Sequence, residues 1–257
     1  MDKLNENRVR LIGAGLAVFL AVLLIVQLII SIVALVAIGS VGKSQLSDDY
    51  SQDTSYSFYY FDYRGRGEET RLLLIYADQP FEDVRYNRSY WFSDIKKTAR
   101  YGQLPYLDIN DGRRLYESYA ISRYLAKRFD LSGKGAWEQA KVDEFADFHK
   151  DNDNEWYDYG YMEVLSENDT RLPLLKESTD KKFPTYVSQI EASGSGFLMP
   201  SGVTWADFPV ANFLETFKNT QPDLWSGRWP VLEEFHRRVH ALPRIDEYVK
   251  NRKFSLI

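Results

Sequence analysis

A binding site for an anionic group is predicted where Glu117 and Ser118 precede a helix. The helix covers Ser118 to Phe129, because apolar residues such as Ile121 and Leu125 recur there at helical spacing. Backbone N–H groups in the first turn of a helix have no partner inside it, and a serine hydroxyl beside them adds a further polar group. Together these groups can bind a carboxylate. A simple helix cap would use the same serine, so the residues alone leave both interpretations open.

The remaining reactive side chains limit what the chain can do by itself. The 257 residues include no cysteine, which excludes disulfides, thiolate metal sites and a cysteine nucleophile. Two of the three histidines, His236 and His240, lie four residues apart on a predicted helix. Two ligands without a third are more typical of a helix face than of a metal site. We therefore predict no metal.

The elements that would position these groups begin near residue 56. Their order is β-α-β-α-β-β-α, followed by a helical pattern to the end of the chain. The predicted strands are Phe58–Tyr63, Phe81–Tyr86, Gln103–Ile109 and Arg113–Tyr116, and the helices are Gly67–Ala77 and Ser118–Phe129, with Trp91–Thr98 short or irregular. An α/β domain over 56–131 and an all-α domain over 132–257 follow from this order.

Charge and local capping signals add two further constraints. The chain carries 32 Lys+Arg and 37 Asp+Glu, a formal net charge of −5. Because nucleic-acid binding requires a basic face, we exclude nucleic acid as a partner. Thr204 and Asp207 have the spacing of a capping box, which predicts the start of a helix in the second domain.

A long apolar segment precedes these domains. Leu11 to Gly42 contains no charged residue, and about 20 apolar residues suffice to cross a hydrocarbon core. We predict a polar flank at 1–10, a single transmembrane helix at 11–39 and a linker at 40–55. A cleaved signal peptide is the alternative, but its apolar region is usually shorter.

Four motifs together resemble the cytosolic glutathione transferase superfamily, closest to its sigma class. That class includes nematode transferases, S-crystallins and the haematopoietic prostaglandin D synthase. The motifs are Tyr60-Phe61-Asp62-Tyr63-Arg64-Gly65-Arg66-Gly67-Glu68, Gly102-Gln103-Leu104-Pro105, Glu117-Ser118-x-Ala120-Ile121-x-Arg123-Tyr124-Leu125 and Val203-Thr204-Trp205-Ala206-Asp207-Phe208. The resemblance covers about Tyr56 to the end and implies a thioredoxin-like first domain. Gly67 departs from it, since the family has alanine there.

The resemblance implies that Tyr60 is the catalytic tyrosine and that glutathione is the substrate or cofactor. A phenol that donates a hydrogen bond to the glutathione sulfur would favour the reactive thiolate over the thiol. Taken alone, Tyr60 is one more aromatic residue in the run Tyr59-Tyr60-Phe61. Its spacing to Arg64-Gly65-Arg66 selects Tyr60 rather than Tyr59.

Further binding residues are implied by the same resemblance. Gln103, Leu104 and Pro105 match a turn with a cis proline, whose exposed backbone at Leu104 pairs with the cysteinyl part of glutathione. An ordinary edge-strand proline is the alternative. Glu117 and Ser118 match a Gln-Ser pair that holds the γ-glutamyl carboxylate. Glu in place of Gln can still accept a bond from the ammonium of the ligand, but it would repel the nearby carboxylate.

Four outlying residues complete the implied glutathione site. Arg66 matches an arginine near the sulfur, and Trp91 with Lys96 matches a pair at the glycine end, although their spacing is one residue too long. Asp151 matches a carboxylate that reaches glutathione in the other subunit, which predicts a homodimer. A solvent-exposed acidic helix face is the alternative for Asp151.

The function expected from these residues is conjugation of glutathione to apolar electrophiles. The electrophile should bind between the domains, near Tyr63, Trp156 and the C-terminal residues. A glutathione-dependent isomerase acting on prostaglandin-like peroxides and a non-catalytic protein like the S-crystallins remain alternatives. The chloride intracellular channel family also joins this fold to a membrane, but it has cysteine at the thiol site.

The expected location is a membrane, with the enzyme domain on one side of it. Lys3, Arg8 and Arg10 precede the apolar segment, and two glycosylation sequons begin at Asn87 and Asn168. Both features favour a lumenal or extracellular domain. Because reduced glutathione is expected in the cytosol, we favour a cytosolic domain.

Overall fold

The computed structural model describes residues 25–32, 54–110 and 112–257. The chain divides into two units, Met1–Thr54 and Ser55–Ile257. All elements below except the first helix belong to the second unit.

The predicted membrane segment falls only partly within this description. Residues 25–32 form a helix, α1, whereas the rest of the span 11–39, the flank 1–10 and most of the linker 40–55 lie outside the described residues. No helix in the described ranges is long and apolar enough to cross a membrane. This finding contradicts the predicted single-pass membrane localisation, and it gives no support to the predicted transmembrane helix or membrane partnership.

A four-stranded mixed sheet forms the centre of the first domain. Its strands are β1 (Tyr56–Phe61), β2 (Glu82–Tyr86), β3 (Tyr106–Ile109) and β4 (Arg113–Tyr116). They lie in the order β2-β1-β3-β4; β1 is parallel to β2 and antiparallel to β3, which is antiparallel to β4. The helices are α2 (Glu68–Tyr76), α3 (Arg88–Tyr90) with a π-helical turn at Trp91–Ile95, and α4 (Ser118–Arg128). The predicted thioredoxin-like order is confirmed.

The two faces of β1 determine where Tyr60 lies. Because side chains alternate along a strand, Tyr56, Phe58 and Tyr60 are buried together, whereas Tyr59 and Phe61 are half-buried on the other face. The buried face packs into the core that the sheet shares with the helical domain. Tyr60, near the end of β1, is thereby directed towards the junction of the two domains.

The second domain is entirely helical. It contains α5 (Gly135–Asp158), α6 (Leu172–Ser193), α7 (Asp207–Thr220), α8 (Pro222–Trp225), α9 (Pro230–His240) and α10 (Ile245–Asn251). Helix α7 is buried over most of its length, as expected of a helix surrounded by others. Aromatic residues fill the space between it and its neighbours; for example, the Trp156 and Phe213 rings stack at 4.6 Å.

The start of α7 depends on one buried carboxylate. Asp207 accepts hydrogen bonds from the Thr204 N–H at 2.7 Å, the Thr204 hydroxyl at 3.0 Å and the Leu198 N–H at 2.9 Å. The bond from the Thr204 N–H is one half of the predicted capping box. The other half differs, since the threonine hydroxyl binds the carboxylate instead of a helical N–H. Asp207 is completely buried, so it joins the preceding loop to the helix.

Two buried arginines hold the turn that follows β1. Arg71 of α2 donates to the carbonyls of Phe61 and Tyr63 at 3.1 and 3.0 Å. Arg64, within the turn, donates to the Asn212 side-chain oxygen on α7 at 3.0 Å and pairs with Glu215 at 3.2 Å.

The helical domain returns a bond to the same turn. The Asn212 amide donates to the Gly65 carbonyl at 2.8 Å. The geometry of the segment beside Tyr60 is therefore set partly by the second domain.

Candidate active site

A cavity of about 360 Å³ lies between the sheet domain and the helical domain. Residues from both domains line it, including Tyr60, Arg66, Glu69, Ser118, Lys150 and Asp153. It therefore unites three of the predicted site residues, Tyr60, Arg66 and Ser118, with three residues that are not among the predicted ones.

Tyr60 is a buried phenol at the edge of this cavity. It is 6% exposed, and its oxygen accepts a hydrogen bond from the Arg66 backbone N–H at 3.0 Å. Burial raises the pKa of Tyr60 above its ordinary value, so the phenol stays protonated at neutral pH. A phenol oxygen that already accepts a hydrogen bond is a stronger donor through its own O–H. Tyr60 can therefore donate to an anion in the cavity.

Two glycines allow the Tyr60 ring to occupy this position. A Cβ at Gly65 would lie 2.7 Å from the Tyr60 hydroxyl oxygen, and one at Gly67 would lie 2.3 Å from Cδ1 of the ring. Gly65 also has a positive φ of 40°, which favours glycine. At Gly67, where the family motif has alanine, the ring fills the space of the missing methyl group.

Gly67→Ala is expected to lower the melting temperature by about 2–12 °C, because overpacking costs about 1–3 kcal/mol. Gly67 has φ −84°, which alanine adopts without strain, so the effect would report the contact with Tyr60. Thermal denaturation measures it. An unchanged melting temperature would mean that the Tyr60 ring moves aside without cost.

A second, smaller cavity of about 50 Å³ adjoins the first. It is lined by the predicted residues Gln103, Leu104, Pro105 and Glu117, and it shares Arg66, Ser118 and Lys150 with the larger cavity. The Leu104–Pro105 peptide is cis, as the resemblance implied.

The N-terminus of α4 opens onto both cavities at Ser118. Glu117, which precedes the helix, has a φ of 70° and makes no side-chain cap. The first-turn N–H groups of α4 are therefore not capped by that side chain, and the Ser118 hydroxyl lies beside them. This geometry suits a carboxylate.

Charged side chains surround the large cavity more densely than the sequence alone indicates. Arg66 pairs with Asp153 at 2.9 Å, and Asp153 accepts a hydrogen bond from Tyr161 at 2.6 Å. A signal for Asp153 was present: it lies four residues after His149 and three before Trp156, both buried on one face of α5. A helical spacing of three and four residues places Asp153 on that inward face.

Three predicted site residues line neither of these two cavities. Trp91 is 2% exposed and packs edge-on against Phe61, with ring centroids 6.0 Å apart. Lys96 is exposed, and its ammonium lies 5.1 Å from the Phe92 ring centroid. Asp151 is exposed on α5. Their roles stay predictions.

The expected electrophile region requires two corrections. Among the described residues, none after Phe213 lines the large cavity, and the C-terminal Phe254 and Ser255 line a separate small cavity instead. Tyr63 lines the large cavity, but Trp156 is fully buried because it faces the core of the helical domain. The neighbouring Tyr157, which is 58% exposed, lines the cavity instead.

The histidine pair has a third neighbour. Among the described residues, ligand atoms of His236, His240 and Glu215 lie within 4.8 Å of one another. Burial lowers the pKa of His236 to about 3 and that of His240 to about 4, so both rings are neutral at pH 7. The Glu215 carboxylate already pairs with Arg64 at 3.2 Å and Arg252 at 2.5 Å. These arginines oppose a further cation, and the cluster belongs to the domain interface.

Comparisons with known proteins agree with this architecture. The family model for the glutathione S-transferase N-terminal domain matches residues 56–127, and that for the C-terminal domain matches residues 150–252. The chain is 35% identical over 205 residues to probable glutathione S-transferase 5 of Caenorhabditis elegans, covering 77% of this chain and 97% of that protein.

Solved structures give the same result. The glutathione S-transferase of Ascaris lumbricoides matches with a TM-score of 0.71 and 34% identity, over 79% of this chain and all of that one. Prostaglandin synthase D of Nilaparvata lugens matches with a TM-score of 0.69 and 29% identity, over 78% and 100%.

Proposed function

Because this chain belongs to the glutathione S-transferase family, we propose that it joins the thiolate of glutathione to apolar electrophiles. One observation carries the proposal: a buried, protonated phenol at Tyr60 lies in the same cavity as the open N-terminus of α4 at Ser118. The first group can act on a sulfur and the second can bind a carboxylate, and glutathione contains both.

The proposed chemistry begins with ionisation of the bound thiol. A free thiol with a pKa near 8.5 is only a few per cent ionised at neutral pH. Donation by Tyr60 O–H to the sulfur favours the thiolate, and lowering the thiol pKa by about two units corresponds to about 2.7 kcal/mol. The thiolate then attacks the electrophile, forming a carbon–sulfur bond while the leaving group departs with its electron pair.

The proposed placement of glutathione uses both cavities. The cysteinyl backbone pairs with Leu104 beside the cis proline, Gln103 and Glu117 line that end, and the γ-glutamyl carboxylate lies at Ser118. Arg66, whose backbone N–H donates to the Tyr60 oxygen, is proposed to lie near the sulfur. Trp91 and Lys96 are proposed for the glycine end.

The electrophile is proposed to bind in the large cavity, on the side of Tyr60 opposite to glutathione. Tyr63, Tyr157, Met162 and Phe213 line that part of the large cavity. These side chains offer apolar and aromatic surface, which suits an aryl or alkyl substrate.

Retention on immobilised glutathione, followed by an assay with a generic aryl halide, tests this function. Retention with turnover supports the transferase. Retention without turnover, but with rearrangement of a prostaglandin-like peroxide, supports an isomerase that uses glutathione as a cofactor. The structural likeness to prostaglandin synthase D favours this second candidate. Failure to bind glutathione would favour the non-catalytic, crystallin-like alternative.

The protein is further proposed to be a homodimer, which should sediment at twice the 30.0 kDa mass of the chain. Exposed aromatic residues on the first domain, Phe92 at 53% and Tyr101 at 54%, support a protein contact there. Tyr101→Ser should shift the protein towards the monomer. Trp137→Ser, at an exposed aromatic residue that lies on α5 and not on the first domain, should not. Monomeric wild type would exclude a contribution of Asp151 from a partner.

A further inference from the structure

Glu69 is a buried carboxylate whose environment differs from that of the other buried acids. It lies in the first turn of α2 and is 4% exposed, and its Oε1 atom has no hydrogen-bond partner among the described residues. By contrast, Glu68 binds both Arg71 and Arg252, and Asp207 accepts three hydrogen bonds. A buried carboxylate oxygen without a partner is costly, which indicates that something else binds it.

The unpartnered carboxylate lines the large cavity, not a sealed part of the core. Arg66 faces it from the turn after β1, Ser118 from α4, and Lys150 and Asp153 from α5. Arg66 is already engaged by Asp153 and Asn154, and the Lys150 ammonium lies 5.6 Å from the Tyr119 ring centroid. A cation is therefore expected to reach Glu69 from the cavity.

We propose that Glu69 is the counter-ion for the ammonium group of the γ-glutamyl residue of glutathione. The inference rests on the proposed function, because it assumes that glutathione occupies the cavity. Glu117 and Asp151 are the other carboxylates predicted to bind glutathione. Neither lines the large cavity, so neither is positioned to make this contact there.

The positions of the two ionic groups support this assignment. The ammonium and carboxylate of the γ-glutamyl residue share one carbon atom, so the groups that bind them must be neighbours. Ser118 lies at the proposed carboxylate site, and its hydroxyl also interacts with the Glu69 carboxylate. Asp151 is exposed and lines neither cavity. One subunit can therefore bind both charges of the amino acid.

Binding should be linked to a proton. Burial raises the pKa of Glu69 to about 8, although hydrogen bonding by Ser118 opposes the rise. At pH 7 the free protein therefore holds Glu69 mainly protonated, while an ammonium ligand favours the ionised form. Binding at pH 7 should release nearly a full proton, and less as the pH rises above 8.

Two probes separate this contact from catalysis: S-methylglutathione, whose sulfur cannot ionise, and the same compound without its α-amino group. Calorimetry on the full chain should show that the wild type binds the desamino probe about 10- to 100-fold more weakly. Glu69→Gln, which keeps the shape of the protonated side chain, should bind both probes within about threefold of each other. The variant should also lose the proton release.

The outcomes distinguish this inference from the proposed function. If the wild type binds S-methylglutathione but does not discriminate against the desamino probe, the inference is wrong and the function stands. Discrimination that persists in Glu69→Gln, or that disappears in Asp151→Asn, also overturns the inference. If the wild type binds neither probe, both proposals are wrong. Proton release by the wild type needs no variant, so a folding defect in Glu69→Gln would not obscure the answer.

Discussion

Tyr60→Phe is expected to lower the rate of conjugation at pH 7 by about 20- to 100-fold, while the dissociation constant of glutathione changes by less than about threefold. The variant keeps the ring that packs against Gly67 and removes only the hydroxyl. The bound thiol then loses its hydrogen-bond donor, and its pKa should return towards about 8.5. Stopped-flow titration of the bound thiolate by its ultraviolet absorbance, together with kcat against pH, measures the effect.

The pH profile distinguishes a catalytic role from a structural one. Above about pH 9 a free thiol ionises unaided, so the rate of Tyr60→Phe should approach that of the wild type. Tyr59→Phe is the matched control. Its ring stacks on Tyr106 at 4.4 Å on the opposite face of β1, and its rate should be unchanged. An equal loss in both variants, or none in Tyr60→Phe, would contradict the assignment of Tyr60.

Asp207→Ala is expected to reduce the free energy of unfolding by about 3 kcal/mol, or the melting temperature by about 6–12 °C. The substitution leaves two buried N–H groups, those of Leu198 and Thr204, without an acceptor. Unpaired buried donors are more costly than the mean value of a hydrogen bond. Urea denaturation and thermal melting both measure the loss.

An exposed aspartate in a comparable position provides the control for this prediction. Asp246 lies in the first turn of α10, pairs with Lys250 at 2.6 Å and has a side chain that is 51% exposed. Asp246→Ala should cost no more than about 1 kcal/mol. If the two variants are equally stable, Asp207 does not join the loop to α7 as inferred.

The parts of the fold with strong local signals could be predicted from the sequence. The strand Arg113–Tyr116 and the start of a helix at Ser118 coincide with the observed elements, because a hairpin turn and a serine mark their limits. The strand predicted from Gln103 begins at Tyr106 instead. The residues before it belong to the cis-proline turn, so they do not continue the ladder.

The errors arose where a side chain's surroundings are set by distant parts of the chain. The sequence predicts Trp156 in the electrophile region, but the phase of α5 turns it into the core and Tyr157 towards the cavity. Glu69 carried no local signal, since a second glutamate at the start of a helix is ordinarily exposed. Its burial depends on helices from other parts of the chain that pack against α2, among them α4 and α7.

The apolar segment Leu11 to Gly42 is long enough in sequence for a membrane helix, yet no described helix is long and apolar enough to cross a membrane.

The bonds across the turn after β1 bear on how such enzymes can be recombined. Arg64 and Gly65 belong to one half of the chain and Asn212 to the other, and together they make two reciprocal hydrogen bonds. Exchanging either half with a homologous sequence would preserve both folds but would separate this matched set. An active chimera would therefore have to carry Asn212 and Glu215 along with the turn that they hold. In this chain, the residues that must be transferred together to keep catalysis extend beyond the domain that contains Tyr60.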